Sequence, residues 1–100
     1  MNLKLPISII VPVYNEGSNI TLFIQALEKK VKIKHEIIIV YDFDQDDTVP
    51  VVKKLQYKFS NIRLIKNNLG RSLINACKVG FIEAKSDFIV VMPGDLAEDP

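Results

Sequence analysis

Four aspartates fall within six positions, Asp42, Asp44, Asp46 and Asp47, directly behind the apolar run Ile37–Val40. Carboxylates at that density repel one another, so each needs a donor, a cation or a helix N-terminus. Asp46 and Asp47 precede a helical segment and suit its first turn, where a carboxylate satisfies exposed N–H groups. Asp42 stands at the end of the apolar run, where its carboxylate can accept a hydrogen bond from an imide or amino N–H of a nucleobase. Asp44 is the next such contact. Asp95 follows another apolar run, beside Gly94 and shortly before Glu98 and Asp99. A carboxylate there can hold a hard divalent cation, although a plain loop aspartate would look the same. Arg71 follows Gly70 at the start of a helical segment. A guanidinium beside free helix N–H groups suits a diphosphate; a solvated arginine is the equal alternative. His35 opens an apolar run without an obvious partner, and Cys77 lies on an apolar helical face, so both read as structural.

These groups need elements to position them. Four runs read as strands, Ser8–Tyr14, His35–Tyr41, Asn61–Lys66 and Asp87–Met92. They are β-branched and nearly continuous, as when helices cover both faces of a parallel sheet. The first helix runs from about Ser18 to Lys30, with Ser18 as N-cap and Ile20, Phe23, Ile24, Leu27 and Val31 on one face. The second is capped by Asp47 or Thr48, carries Pro50 in its first turn and points Val52, Leu55 and Phe59 inward. The third begins after Asn67-Asn68-Leu69-Gly70 and turns Leu73, Ile74, Cys77, Phe81 and Ala84 inward, with Gly80 permitting close approach to the sheet.

The order β-α-β-α-β-α-β with right-handed crossovers predicts an α/β fold, an open, doubly wound, mainly parallel sheet. Ligands of such sheets bind outside the carboxyl ends of the strands. That rim gathers Asn15-Glu16, the Asp42–Asp47 loop, Asn67-Asn68, Gly70-Arg71 and Pro93-Gly94-Asp95. The opposite rim is mostly Lys, Ser and one His.

The 100 residues carry a net charge of +1, with 13 basic and 12 acidic side chains. That balance gives no reason to expect nucleic acid or an anionic membrane surface as the main partner. Lys29, Lys30, Lys32 and Lys34 read as a solvated helix end. The single Cys77 cannot form an internal disulfide, which suits a reducing, cytoplasmic setting. Residues 1–6 lack the apolar run of a signal peptide, and no apolar stretch approaches the ~20 residues that span a bilayer.

Together these segments resemble the family 2 glycosyltransferases with the GT-A fold, most closely the dolichyl-phosphate or polyprenyl-phosphate mannosyl- and glucosyltransferase branch. The resemblance rests on Ile9–Glu16, with its Pro-x-Tyr-Asn-Glu turn, and on Glu36–Asp42 with the Asp44–Thr48 loop. It continues through Asn68–Arg71 with Asn75, Ala76 and Gly80, and through Met92–Pro100 at the Asp-x-Asp region. It implies that residues 1–100 are the N-terminal, nucleotide-sugar-binding part of an inverting transferase, ending before the acceptor half and its general base. Pro12, Tyr14, Glu16, Asp42, Asp44, Arg71, Gly94 and Asp95 would then bind a nucleoside-diphosphate sugar, with Asp95 meeting Mg2+ or Mn2+. The acceptor would be a polyprenyl phosphate or a glycan, and the enzyme would work at the cytoplasmic face of a membrane through sequence beyond residue 100. Two departures stand out: Pro93 replaces the first acid of Asp-x-Asp, and Ala97 replaces a position at which relatives offer a polar metal ligand. A catalytically impaired relative is therefore an alternative. A nucleotidyltransferase would call for a basic glycine-rich loop in place of Asn15-Glu16-Gly17-Ser18, and a receiver-like signalling domain for an acidic pair after the first strand. The phosphate-loop pattern is absent.

Overall fold

The computed structural model describes residues 5–94. Its elements are β1 (Ile7–Pro12), α1 (Ile20–Lys30), β2 (His35–Tyr41), α2 (Thr48–Lys58), β3 (Ile62–Lys66), α3 (Leu73–Glu83) and β4 (Ile89–Val91). The strands form one parallel sheet in the order β3-β2-β1-β4. β1 pairs with β2 from Ile7 opposite His35 to Pro12 opposite Val40. The predicted order of elements and the parallel sheet are both present, with strand ends shifted by up to two residues.

Alternation along the central strands divides two cores. Ile9, Val11, Ile37 and Ile39 face α1 and α2 and meet Ile20, Ile24, Leu27, Val52 and Leu55. Ile10, Ile38 and Val40 face the other way and meet Ala76 and Val79 of α3. Both faces of Ile9–Val11 in β1 and of Ile37–Val40 in β2 are thus dry, which explains their apolar runs. The helices change face after β3, and this step winds the sheet in both directions.

Three local expectations are corrected. α1 starts at Ile20, with Asn19 rather than Ser18 at the N-cap and no side-chain cap bond; the first turn is tied instead by Ile20 N–H donating to Glu16 O at 2.8 Å. Asp47 does occupy the N-cap of α2, yet its side chain caps nothing in that helix. The inward face of α3 is Ala76, Val79 and Gly80, while Leu73, Ile74 and Phe81 are exposed and Cys77 is half-buried. Small residues win this face because the helix lies close to the sheet: a Cβ on Gly80 would come within 2.5 Å of Ile10 Cγ2. The larger apolar residues are pushed to a flank, although Ala84 still packs against the α3-side core.

His35 is also not partnerless. Its Nε2 lies 2.6 Å from Glu28 Oε2 and its Nδ1 2.7 Å from Ile33 O. The structural reading of this residue stands. Among the described residues, no helix is long and apolar enough to cross a membrane.

Candidate functional site

The chain builds outward from β1 through β2 to β3, then crosses back to set β4 on the other side of β1. Beyond the carboxyl ends of β1 and β4 the connections therefore diverge, and an open parallel sheet forms its binding crevice at such a point. A cleft of about 200 Å3 lies there. Pro12, Tyr14 and Glu16 enter it from behind β1, Asp42 from the end of β2, Ser72, Leu73 and Ala76 from the start of α3, and Pro93 and Gly94 from behind β4.

The loop after β1 is held in place by the acidic loop. Asn15 adopts φ of 48°, the left-handed region that asparagine tolerates better than most residues. Its N–H donates to Asp46 Oδ1 at 3.1 Å, Glu16 N–H to Thr48 Oγ1 at 2.8 Å and Gly17 N–H to Asp47 Oδ1 at 2.8 Å. In return, Asp47 N–H donates to Asn15 Oδ1 at 3.1 Å. Asp46 also accepts from Thr48 N–H at 2.7 Å, which fixes the start of α2. Gly17 is required by closeness, since a Cβ there would sit 2.7 Å from the Asp47 carbonyl oxygen. Asp46 and Asp47 are therefore structural, as expected, but they fasten two loops together rather than one helix to itself. Tyr14 and Glu16 owe their positions to this clamp.

Asp42 is positioned from β3. Asn67, 5% exposed, donates from Nδ2 to Asp42 Oδ1 at 2.8 Å and to Gly70 O at 3.0 Å, while its Oδ1 accepts from Leu69 N–H at 3.0 Å. One side chain thus orders the β3–α3 loop and aims the carboxylate at the cleft. Ser72 caps α3, accepting from Asn75 N–H at 3.0 Å. At the rim, the Arg71 guanidinium lies 4.9 Å from the Tyr14 ring centroid and 5.0 Å from that of Phe43.

The structure therefore brings Pro12, Tyr14, Glu16, Asp42 and Gly94 to one cleft and sets Arg71 at its edge. Gly94 is there for packing: a Cβ would meet Val11 and Val13 methyl carbons at 3.1 and 3.2 Å. Asp44 is not brought in; it faces Lys66 at 3.0 Å in an exposed ion pair, as crowding among the aspartates would favour. The expected cation ligand Asp95, with Glu98 and Asp99, lies outside the described residues. Among the described residues no cluster of three or more His, Cys, Asp or Glu could hold a metal ion. Sequence reasoning gave Phe43 and Ser72 no role and set Asn67 on the rim without its part in holding Asp42. The signals available were an aromatic inside an acidic loop and a serine three positions before an N–H it can cap.

A larger concavity of about 620 Å3 lies at the opposite end of the strands, around Glu28, His35, Glu36 and Arg63. Size does not make it the site, because its polar groups are bound to one another. Buried Glu36 accepts from Ser8 Oγ at 2.6 Å, Lys85 N–H at 2.7 Å and Arg63 Nη1 at 3.2 Å, and Arg63 reaches on to Glu83 at 2.7 Å. Burial pushes the Glu36 carboxyl up, but these three donors and the Arg63 charge more than offset it and hold the group below its ordinary value. The network fastens β1, β2, β3 and the α3–β4 connection.

Comparison with known proteins agrees with this geometry. The profile of the family described as glycosyl transferase family 2 matches residues 8–100. Dolichol-phosphate mannosyltransferase of Saccharomyces cerevisiae is 36% identical over 97 residues, covering 93% of this chain and 36% of the yeast protein. The protein of the same name from Pyrococcus furiosus is 30% identical, covering 94% of this chain and 27% of its own length. The chain thus spans about a third of the curated relatives it matches. Among solved structures, the mannosyltransferase PcManGT of Pyrobaculum calidifontis, in complex with GDP-Man and Mn2+, superposes with a TM-score of 0.81 at 19% identity, over 94% of this chain and 28% of that one. TarS of S. aureus in complex with UDP gives 0.75 at 26% identity, over 91% and 28%. The parallel sheet with alternating helices is the one these transferases share.

Proposed function

Because this chain belongs to glycosyl transferase family 2, we propose that its cleft binds the nucleotide of a nucleoside-diphosphate sugar, and that the whole protein transfers the sugar with inversion to a polyprenyl phosphate or a glycan. The observation that carries this reading is the convergence of Tyr14, Glu16 and Asp42 with the start of α3 at the β1/β4 crevice. The dolichol-phosphate mannosyltransferase relatives favour a polyprenyl phosphate as acceptor. Because the chain spans about a third of those proteins, acceptor binding and the general base are assigned to other parts of the protein.

Each residue has a role that its surroundings suit. Asp42, its Oδ1 bound by Asn67, offers its remaining lone pairs to a base N–H. Pro12 and Tyr14 wall the base. Glu16, whose Oε1 accepts from Asn19 at 3.3 Å, faces the same cleft. Arg71, one residue before the cap of α3, is within reach of a diphosphate drawn to that helix N-terminus. An acceptor oxygen then displaces the nucleoside diphosphate at the anomeric carbon, and the cationic group at the rim stabilises the departing charge.

The described residues do not themselves make a cation site. The Mn2+ in PcManGT supports a divalent ion, and Asp95 is the residue proposed to meet it; such an ion would neutralise charge on the leaving diphosphate. Thermal-shift titration of the intact protein with UDP- and GDP-sugars, with and without Mg2+ or Mn2+, tests the reading. Stabilisation by one donor class is expected, with Asp95→Asn abolishing the metal-dependent part. No shift with any donor would overturn it.

A further inference from the structure

Tyr14 and Phe43 come from the loops behind two neighbouring strands, with ring centroids 5.7 Å apart and planes inclined by 54°. Arg71, from a third loop, caps both rings with its guanidinium 4.9 and 5.0 Å from their centroids. Tyr14 lines the cleft beside Asp42, so the cation stacks on a ring that also belongs to the cleft of the carboxylate that would read a base. A guanidinium is planar, delocalised and weakly hydrated, and it stacks on aromatic faces. A nucleobase is planar and stacks on the same faces. The two cannot share one face. Arg71 also directly precedes Ser72, the N-cap of the 11-residue α3. A guanidinium leaving the rings therefore stays beside a helix N-terminus, where a diphosphate is favoured.

We infer that Arg71 is a displaceable occupant of the base seat formed by Tyr14 and Phe43, giving up the rings to the base and turning to the diphosphate when nucleotide binds. The inference rests on the nucleotide-binding reading above and adds to it a residue, Phe43, and a coupling. A nucleoside alone must evict the cation with nothing to receive it. A nucleoside diphosphate evicts it and supplies its new partner. The seat therefore discriminates against nucleosides and in favour of their diphosphates.

Calorimetric titration of the intact protein with uridine, guanosine, UDP and GDP tests this. Arg71→Gln should raise affinity for the preferred nucleoside about fivefold, as two exposed cation–π contacts no longer compete, and should lower affinity for its diphosphate about tenfold or more. Phe43→Ala should weaken both ligands about tenfold through lost stacking, and Phe43→Tyr should restore both. An Arg71 that merely braces the three loops would weaken nucleoside and diphosphate by the same factor in Arg71→Gln, and that result overturns the inference while leaving the donor reading intact. Unchanged nucleoside affinity in Arg71→Gln overturns it equally. A wild-type protein that binds none of the four ligands overturns the donor reading, and this inference falls with it.

Discussion

Asp46 is the point at which loop structure and site geometry meet, and Asp46→Ala measures the link. The side chain is 1% exposed. Its Oδ1 accepts from Thr48 N–H at 2.7 Å and from Asn15 N–H at 3.1 Å, while Oδ2 has no partner among the described residues. A hydrogen bond to a charged acceptor contributes roughly 1.5–3 kcal/mol. The Thr48 bond is short and buried and takes about 2 kcal/mol of that range. The Asn15 bond is longer and beside an exposed residue, so water can replace part of it, leaving about 1 kcal/mol. Asp46→Ala should therefore destabilise by about 3 kcal/mol, a fall of about 1–3 M in the urea midpoint at an unchanged slope of roughly 1–3 kcal/mol per M. Asp46→Asn keeps an oxygen for both donors and puts its amide where Oδ2 has no partner. It should cost about 2 kcal/mol, from the weaker neutral acceptor together with a buried amide N–H left without a partner. The alanine variant should also bind nucleotide more weakly, since Tyr14 and Glu16 lose their anchor. Urea denaturation of the three proteins decides the matter. An alanine variant within about 0.5 kcal/mol of wild type, or an asparagine variant as damaged as the alanine, would refute the clamp.

Two further outcomes are open to measurement. Glu36 titrates in the folded protein below its ordinary 4.5, so the folded state binds fewer protons than the unfolded one near that pH. The stabilisation it provides is complete above about 4.5 and is lost as pH falls through the lower folded value. Stability curves between pH 3 and 6 should flatten in Glu36→Gln, and an unchanged acid limb would remove Glu36 from that role. Gly17→Ala places a Cβ 2.7 Å from a backbone oxygen that cannot turn aside. A loss of about 1–3 kcal/mol is expected in the same urea assay, and a variant as stable as wild type would show that the two loops are not in close contact.

The strands of this protein are written in its sequence because period and burial coincide. Ile37–Val40 is apolar on both faces, and both faces are covered. The rim is equally legible: once the element order gives a parallel sheet, residues following the strands lie at one edge, so Glu16, Asp42 and Gly94 could be assigned to one end from that order, and Pro12 and Tyr14 from the resemblance. The inward face of α3 was not legible, because Leu73, Ile74 and Phe81 offer larger apolar side chains than Ala76, Val79 and Gly80. A helix that must lie close to a sheet selects small side chains over apolar ones, and closeness has no signature in periodicity.

Which partner each aspartate takes lay further still from reach. Asp42, Asp44, Asp46 and Asp47 share one residue type and one short loop, yet the first faces the cleft, the second pairs with Lys66, and the last two hold the loop behind β1. Their partners, Asn67, Lys66, Asn15 and Gly17, are about 20–30 positions away, and only the pairing of β2 with β1 and β3 brings them close. The order of elements, the parallel sheet and the rim at which ligand chemistry collects could all be read from the residues in order, since they follow from local hydrophobic pattern and handed connections. The partner each carboxylate takes, and the meeting of Arg71 with Tyr14 and Phe43, came only with the packed molecule, because a charge takes its partners from the donors packed around it.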